Sequence, residues 1–178
     1  MGCGPSKVDT KLQVRQKNTE STKSTCLVFG MPDCGQDVFI SSIEKCFHSV
    51  GGSYQSPFLF AQIPSEREAR PSWIDEYSKH QRVIASFFFV DISSPAMVLL
   101  SVKVINWMRS QLVDQSPPNI VGYVRNQKET NNFTLLKEYL PPNIEASTFN
   151  DAVASDIPKY VEFITSCVAK HPPTVDYD

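Results

Sequence analysis

The chain has 178 residues, is 41% hydrophobic and carries a formal net charge of −2 at pH 7. This length is enough for one hydrophobic core once a short tail is set aside. The acidic balance leaves no basic surface for nucleic acid, so we expect no nucleic-acid partner. The five cysteines contain no C-x-x-C pair and no histidine has ligand spacing, which argues against a zinc site and predicts reduced thiols.

The chain begins MGCGPSK, which fits the M-G-x-x-x-[ST] pattern for N-myristoylation at Gly2. One myristoyl chain binds a bilayer at only roughly 10⁴ M⁻¹, so a stable anchor needs a second signal. Cys3 can carry a palmitoyl chain, and the first twenty-five residues have a net charge of +3 that attracts an anionic cytoplasmic leaflet. We expect a flexible, dually lipidated tail over residues 1–23; the alternative is an unmodified N-terminus.

The sequence has neither a signal-peptide apolar region nor a run of about 18 apolar residues. We therefore expect the protein at the cytoplasmic face of a membrane, with the plasma membrane as the expected location, and not across the bilayer. Behind the tail, residues 24–171 are predicted to form one domain, and residues 172–178 a disordered end.

The domain alternates apolar runs with amphipathic segments. The run at residues 83–90 is apolar at nearly every position, which indicates a central strand covered on both faces. The alternating order predicts an α/β three-layer sandwich with a mostly parallel sheet of about five strands. In chain order, strands are predicted over residues 26–29, 58–63, 83–90, 119–124 and 143–147, and helices over residues 36–48, 73–77, 96–112, 133–139 and 154–170.

The loop after the first strand has the glycine spacing of a phosphate-binding loop, because Gly30 to Asp37 reads GMPDCGQD against G-x-x-x-x-G-K-[ST]. Gln36 replaces the lysine and supplies no charge, whereas Asp37 places a carboxylate where the motif has a hydroxyl. Two unit charges about 4 Å apart repel by about 4 kcal/mol at an effective dielectric constant near 20, so we expect weak GTP or GDP binding at most and no bound cofactor.

Asp37 suggests a different role for this loop. A carboxylate in the first turn of a helix can satisfy free N–H groups and the helix dipole, so Asp37 could serve as the anion that the loop otherwise takes from a nucleotide. From the residues alone, two interpretations of the loop stay open: a relic phosphate site, and an ordinary strand-to-helix turn capped by Asp37.

These features resemble guanine-nucleotide-binding proteins, and the α subunits of heterotrimeric G proteins more than Ras. The Met-Gly-Cys start is similar to their dually lipidated start, and the sequence LVFG at residues 27–30 with Gly35 is similar to their strand and phosphate loop. Residues 58–67, FLFAQIPSER, followed by Trp73 and Ile74, resemble their third strand and second switch. Gln62 and Ser65 stand at the aspartate and second glycine of the family's D-x-x-G motif, which puts Mg²⁺ binding and γ-phosphate sensing in doubt.

The resemblance also implies a base-recognition site. Residues 126–129 are similar to the N-K-x-D motif: Asn126 is retained, Glu129 keeps the carboxylate that would accept from guanine, and the lysine stands one place late. Ala146 resembles the alanine whose N–H contacts the guanine oxygen. The alternative for each is a solvated turn after a strand.

Only about eight residues, 49–56, separate the first helix from the second strand, so the first switch, its Mg²⁺-binding threonine and one further strand are missing. The resemblance implies a reduced Ras-like domain without a catalytic residue, and no metal site. We expect a membrane-anchored pseudo-GTPase that works as a signalling or trafficking adaptor through protein partners. Two alternatives stay open: a guanine-nucleotide binder with slow or absent hydrolysis, and a regulatory α/β domain unrelated to G proteins.

Overall fold

The computed structural model describes residues 24–51, 58–80, 82–112, 116, 118–150, 152–153 and 156–170. The predicted tail with Gly2 and Cys3, and the predicted C-terminal end, lie outside these ranges. Two 3-10 helices, Arg67–Ser72 and Gln127–Glu129, occur among the described residues. The remaining elements are β1 (Ser24–Gly30), α1 (Gln36–Gly51), β2 (Phe58–Gln62), α2 (Trp73–Lys79), β3 (Val83–Asp91), α3 (Pro95–Gln111), β4 (Asn119–Tyr123), α4 (Thr130–Tyr139), β5 (Ala146–Phe149) and α5 (Asp156–Lys170).

The five strands form one sheet in the order β2-β1-β3-β4-β5, and every neighbouring pair is parallel. This confirms the predicted α/β class, with a sheet that is entirely parallel. The direction in which successive strands are added reverses between β1 and β3: β2 lies on one side of β1, and the later strands lie on the other. In open parallel sheets, ligands bind in the crevice at the carboxyl ends of the strands at this reversal. The loop after β1 therefore lies at the expected place for a site.

Aromatic side chains of β3 fill both faces of the sheet. Phe87 and Phe89 contact Phe39 of α1 with ring centroids 5.2 and 5.1 Å away, whereas Phe88 lies 5.6 Å from the Trp73 ring of α2 on the other face. All five side chains are buried. The alternation confirms that the central strand has a layer on each side. Truncating one of these rings to alanine costs about 3–5 kcal/mol of stability.

The last strand differs from its prediction: β5 is Ala146–Phe149, whereas the sequence predicted residues 143–147. The Ile144 N–H donates to the Pro141 carbonyl oxygen at 3.0 Å. Pro141 and Pro142 therefore begin a turn, and β5 starts after it, later than predicted. Phe149 is fully buried at the carboxyl end and fixes the register against Tyr123 of β4. As a consequence Ala146 lies at the amino end of the strand.

Residues 52–57, which join α1 to β2, lie outside the described ranges. Within the described residues β2 is an edge strand. No helix of the described residues is both long enough and apolar enough to cross a membrane.

Candidate functional site

The crevice at the sheet reversal is bordered by the loop after β1 and by the end of β3. Gly30 ends β1 with φ +139°, and the Met31 N–H donates to the Phe89 carbonyl oxygen at 2.8 Å. A Cβ atom at Gly30 would overlap the backbone of Phe89. The glycine is therefore required by the close approach of β1 and β3, whether or not a phosphate binds.

The second glycine of the loop also has a packing reason. Gly35 has φ +74°, and a Cβ atom there would lie 2.6 Å from the Tyr123 ring of β4. Tyr123 thus covers the loop at the position where only glycine leaves room for its ring. Both glycines of the phosphate-loop spacing are explained by contacts inside the domain.

The interior of the loop contains the side chain of Gln36, which is 5% exposed. Its Oε1 accepts from the Cys34 N–H at 3.2 Å, and its Nε2 donates to the Met31 carbonyl oxygen at 2.7 Å. In a phosphate loop the backbone N–H groups point at the ligand. Here one of those N–H groups is satisfied by an amide of the same loop, so Gln36 acts as an internal neutral ligand.

Cys34 is fully buried within the loop, and its thiol donates to the Pro32 carbonyl oxygen at 3.3 Å. Burial, together with the negative charge of Asp91, raises the pKa of the Cys34 thiol from 9.0 to about 12. The thiol is therefore protonated at neutral pH. It supplies neither a charge nor a nucleophile to the crevice.

Arg125, just beyond β4, links the two sides of the crevice. Its Nη2 donates to the Asp33 carbonyl oxygen at 2.6 Å, and its Nη1 lies 3.4 Å from Asp91 Oδ1 at the end of β3. The guanidinium also lies over the Tyr123 ring, 5.2 Å from its centroid. Together, Arg125 and Tyr123 fasten the loop after β1 to the ends of β3 and β4.

Asp37 and Gln62 meet directly: Gln62 Nε2 donates to Asp37 Oδ1 at 2.6 Å, in an exposed pair. The resemblance placed these two residues at the Mg²⁺-binding positions of a G protein, and an amide–carboxylate hydrogen bond joins them here. No backbone N–H of the described chain donates to the Asp37 carboxylate. Within the loop, the side chain bonded to the backbone is therefore the amide of Gln36, whereas the sequence suggested the carboxylate of Asp37.

The turn that resembles the base-recognition motif is closed on itself. Glu129 is 4% exposed, and its carboxylate accepts from the Arg125 N–H at 2.6 Å and from Asn126 Nδ2 at 2.9 Å. The Asn126 Oδ1 accepts from the Lys128 N–H at 3.1 Å. The groups that would recognise a base are thus engaged within the turn, and the burial of Glu129 differs from the solvated turn that was the alternative.

The structure brings only part of the predicted site together. Gly30 ends β1, Gly35 lies in the loop that follows, and Gln36 and Asp37 begin α1. Asn126 and Glu129 follow β4 at the same edge of the sheet. Ala146 pairs with Ile120 toward the amino end of β4 and does not join them.

Sequence reasoning missed Arg125, Tyr123 and the contact between Gln62 and Asp37. One signal was present: Arg125 directly follows the strand predicted over residues 119–124, and the carboxyl ends of parallel strands meet at one edge. The spacing of residues in the sequence could not show which groups the Arg125 guanidinium contacts.

Among the described residues no group of three or more His, Cys, Asp or Glu side chains could hold a metal ion. No protein-family model matches the chain, and no curated protein is a significant match.

Proposed function

We propose that the protein is a membrane-anchored pseudo-GTPase of the G-protein type that acts as a signalling or trafficking adaptor by binding other proteins. The observation that carries the proposal is the buried Gln36 side chain, which is hydrogen-bonded to the Cys34 N–H and the Met31 carbonyl inside the loop. A nucleotide-binding loop keeps this space for phosphate oxygens.

A phosphate would have to displace the Gln36 amide before it could bind. That exchange breaks two hydrogen bonds, each worth about 0.5–1.5 kcal/mol net, and leaves the Met31 carbonyl facing an anion. Asp37 adds like-charge repulsion at the mouth of the loop. Since Gln36 brings no positive charge, no group at this position offsets these costs.

The turn at residues 126–129 supports the same function. Freeing Glu129 for a guanine would leave the Arg125 N–H and the Asn126 amide without their acceptor, and an unsatisfied buried group costs about 1–3 kcal/mol. A protein with neither phosphate nor base recognition can still present its surface to partners at a membrane, to which Gly2 and Cys3 would anchor it.

A second candidate is a regulatory α/β domain unrelated to G proteins. The sheet order favours it, because an all-parallel sheet ordered β2-β1-β3-β4-β5 is also that of flavodoxin-like domains. In this case the loop after β1 never bound a phosphate, and the anchored tail would remain.

Two measurements on the full-length protein expressed in cells test the proposal. Chromatography of the denatured, purified protein is expected to release no stoichiometric GTP or GDP. Cell fractionation is expected to find the wild type with membranes and Gly2→Ala in the cytosol, with Cys3→Ser retained weakly, because one myristoyl chain alone binds marginally. A stoichiometric nucleotide contradicts the pseudo-GTPase, and membrane-bound Gly2→Ala contradicts the anchor.

A further inference from the structure

A groove lies between the first 3-10 helix, Arg67–Ser72, and the middle of α3, on the face opposite α1 and α5. Its volume is about 290 Å³, close to the lower limit of roughly 300 Å³ for small-molecule pockets. We call it the basic groove. Its lining consists of Arg67, Arg70, Pro71, Lys103, Val104 and Trp107.

Three of these six residues are cationic, in a chain whose net charge is negative. Arg67, Arg70 and Lys103 form no ion pair with any residue that the structure describes. Glu66 and Glu68 flank Arg67 in sequence without pairing with it. The groove therefore concentrates positive charge that the described domain does not neutralise.

Arg70 engages few of its hydrogen-bonding groups within the described domain. Its Nε is buried and has no hydrogen-bond partner among the described residues, and its Nη2 meets only the thioether sulfur of Met31 at 3.5 Å. The guanidinium packs 5.8 Å from the Trp73 ring centroid. Because Arg70 lines the groove and guanidinium groups favour carboxylates, an acidic side chain is the complementary group.

Apart from Lys103, the α3 residues at and beside the groove are apolar. Leu100, Val104 and Trp107 are four and three residues apart and so share one helix face, and Leu100 and Trp107 are 40% and 39% exposed. Exposed tryptophan beside arginine is a composition enriched where proteins bind proteins. The ligand must therefore present apolar as well as acidic side chains.

We propose that the basic groove binds an acidic, amphipathic segment of a partner protein, with carboxylates on Arg67, Arg70 and Lys103 and an apolar side chain on Val104 and Trp107. The proposal rests on the proposed adaptor function and names the chemistry of its partner. The protein's own N-terminal tail is excluded by charge, because its net charge is +3. An anionic membrane is disfavoured by shape, because a flat surface does not reach recessed Val104, which is 7% exposed.

The test is selection of peptides from a phage-displayed library of random dodecamers on the full-length protein. We expect enriched peptides that combine Asp or Glu with Leu, Ile or Phe. The leading peptide, labelled with fluorescein, is then titrated by anisotropy. It should bind more weakly at high salt, because exposed charges are screened.

The variant Arg67→Glu/Lys103→Glu should weaken this binding about ten-fold or more. It should also bind the same peptide with its acidic residues changed to lysine better than the wild type does. Lys170→Glu, an exposed charge reversal at the end of α5, is the matched control and should change nothing beyond a small overall charge effect. Peptide binding should shift Trp107 emission to the blue, and Trp107→Phe should abolish that shift, since Trp73 is already fully buried.

The proposal is overturned if no peptide is enriched, if the enriched peptides lack acidic residues, or if Arg67→Glu/Lys103→Glu binds them as the wild type does. Vesicles of phosphatidylserine test the membrane alternative with non-myristoylated protein. If Arg67→Glu/Lys103→Glu loses vesicle binding but keeps peptide binding, the groove binds a membrane instead. None of these results alters nucleotide content or the fractionation of Gly2→Ala. Failure of the groove is therefore distinguishable from failure of the proposed function.

Discussion

Gln36 and Asp37 are adjacent in sequence and have opposite roles in the structure. Gln36 is buried within the loop with two hydrogen bonds to the backbone, whereas Asp37 is exposed and bonded to the Gln62 side chain. A motif assigns both residues to phosphate and metal positions. The burial and the hydrogen bonds of these two side chains, and not their positions in the motif, decide which of them occupies the loop.

Gln36→Ala is expected to lower the free energy of unfolding by about 1–3 kcal/mol, because it leaves the Cys34 N–H and the Met31 carbonyl without partners. Asp37→Ala is expected to cost less, roughly 0.3–1 kcal/mol, from the helix dipole and an exposed hydrogen bond. Urea unfolding of both variants checks the order. A larger loss of stability for Asp37→Ala than for Gln36→Ala would show that the carboxylate of Asp37, and not the amide of Gln36, stabilises the loop.

Cys34 should resist alkylation in the folded protein. Burial raises the pKa of its thiol to about 12, so almost no thiolate exists at pH 8. Half-buried Cys46 and Cys167 are expected to take up iodoacetamide first, as read by peptide mass spectrometry. The folded state favours the protonated form of the Cys34 thiol. The stability that this thiol contributes is therefore fully present below its ordinary pKa of 9.0 and is lost as the pH rises toward 12. Rapid modification of Cys34 at pH 8 would show an open loop.

At the scale of the elements, Arg125 holds the loop after β1 against β3 and β4. Arg125→Ala is expected to cost about 1 kcal/mol, since the ion pair with Asp91 is partly exposed and the bond to the Asp33 carbonyl is a single charge-assisted one. Amide hydrogen exchange at Cys34 and Gly35 should become faster. Lys128→Ala, an exposed lysine of the next turn, is the matched control. Equal exchange in the two variants would contradict this role.

Most elements could be predicted because their apolar periodicity agrees with their burial. The central strand, predicted over residues 83–90, is Val83–Asp91, and the helix predicted over 96–112 is Pro95–Gln111. The last strand was placed too early because its first apolar residue, Ile144, belongs to a turn. Ala146 was assigned to the base-recognition site by resemblance alone, and the register of β5 separates it from the other residues of that site.

The candidate site was less predictable than the fold. Spacing located the loop and both glycines, but it could not show that Gly30 and Gly35 are required by Phe89 and Tyr123. It also could not give the rotamer of Gln36 or the partners of Glu129, because these depend on contacts between residues distant in sequence. A motif compares residue types, whereas the function depends on whether their hydrogen-bonding groups are already engaged.

At the scale of the whole molecule, the domain is an α/β protein with an all-parallel sheet, and its own side chains occupy the crevice at the sheet reversal. Gln36 occupies the loop, Arg125 bridges its two sides, and Glu129 is bound within the neighbouring turn. The unneutralised charge lies instead in the basic groove on another surface. This distribution is an argument for the proposed function, in which the domain recognises proteins and not nucleotides.

The most direct test is an NMR titration of the full-length protein with GDP and Mg²⁺ that follows the Cys34 amide resonance. The account predicts no saturable shift for the wild type, because Gln36 Oε1 already accepts from that N–H. Gln36→Lys/Asp37→Ser, which restores the cation and the hydroxyl, should shift the resonance. A saturable shift of the Cys34 amide in the wild type would contradict the central claim that the loop is closed to phosphate.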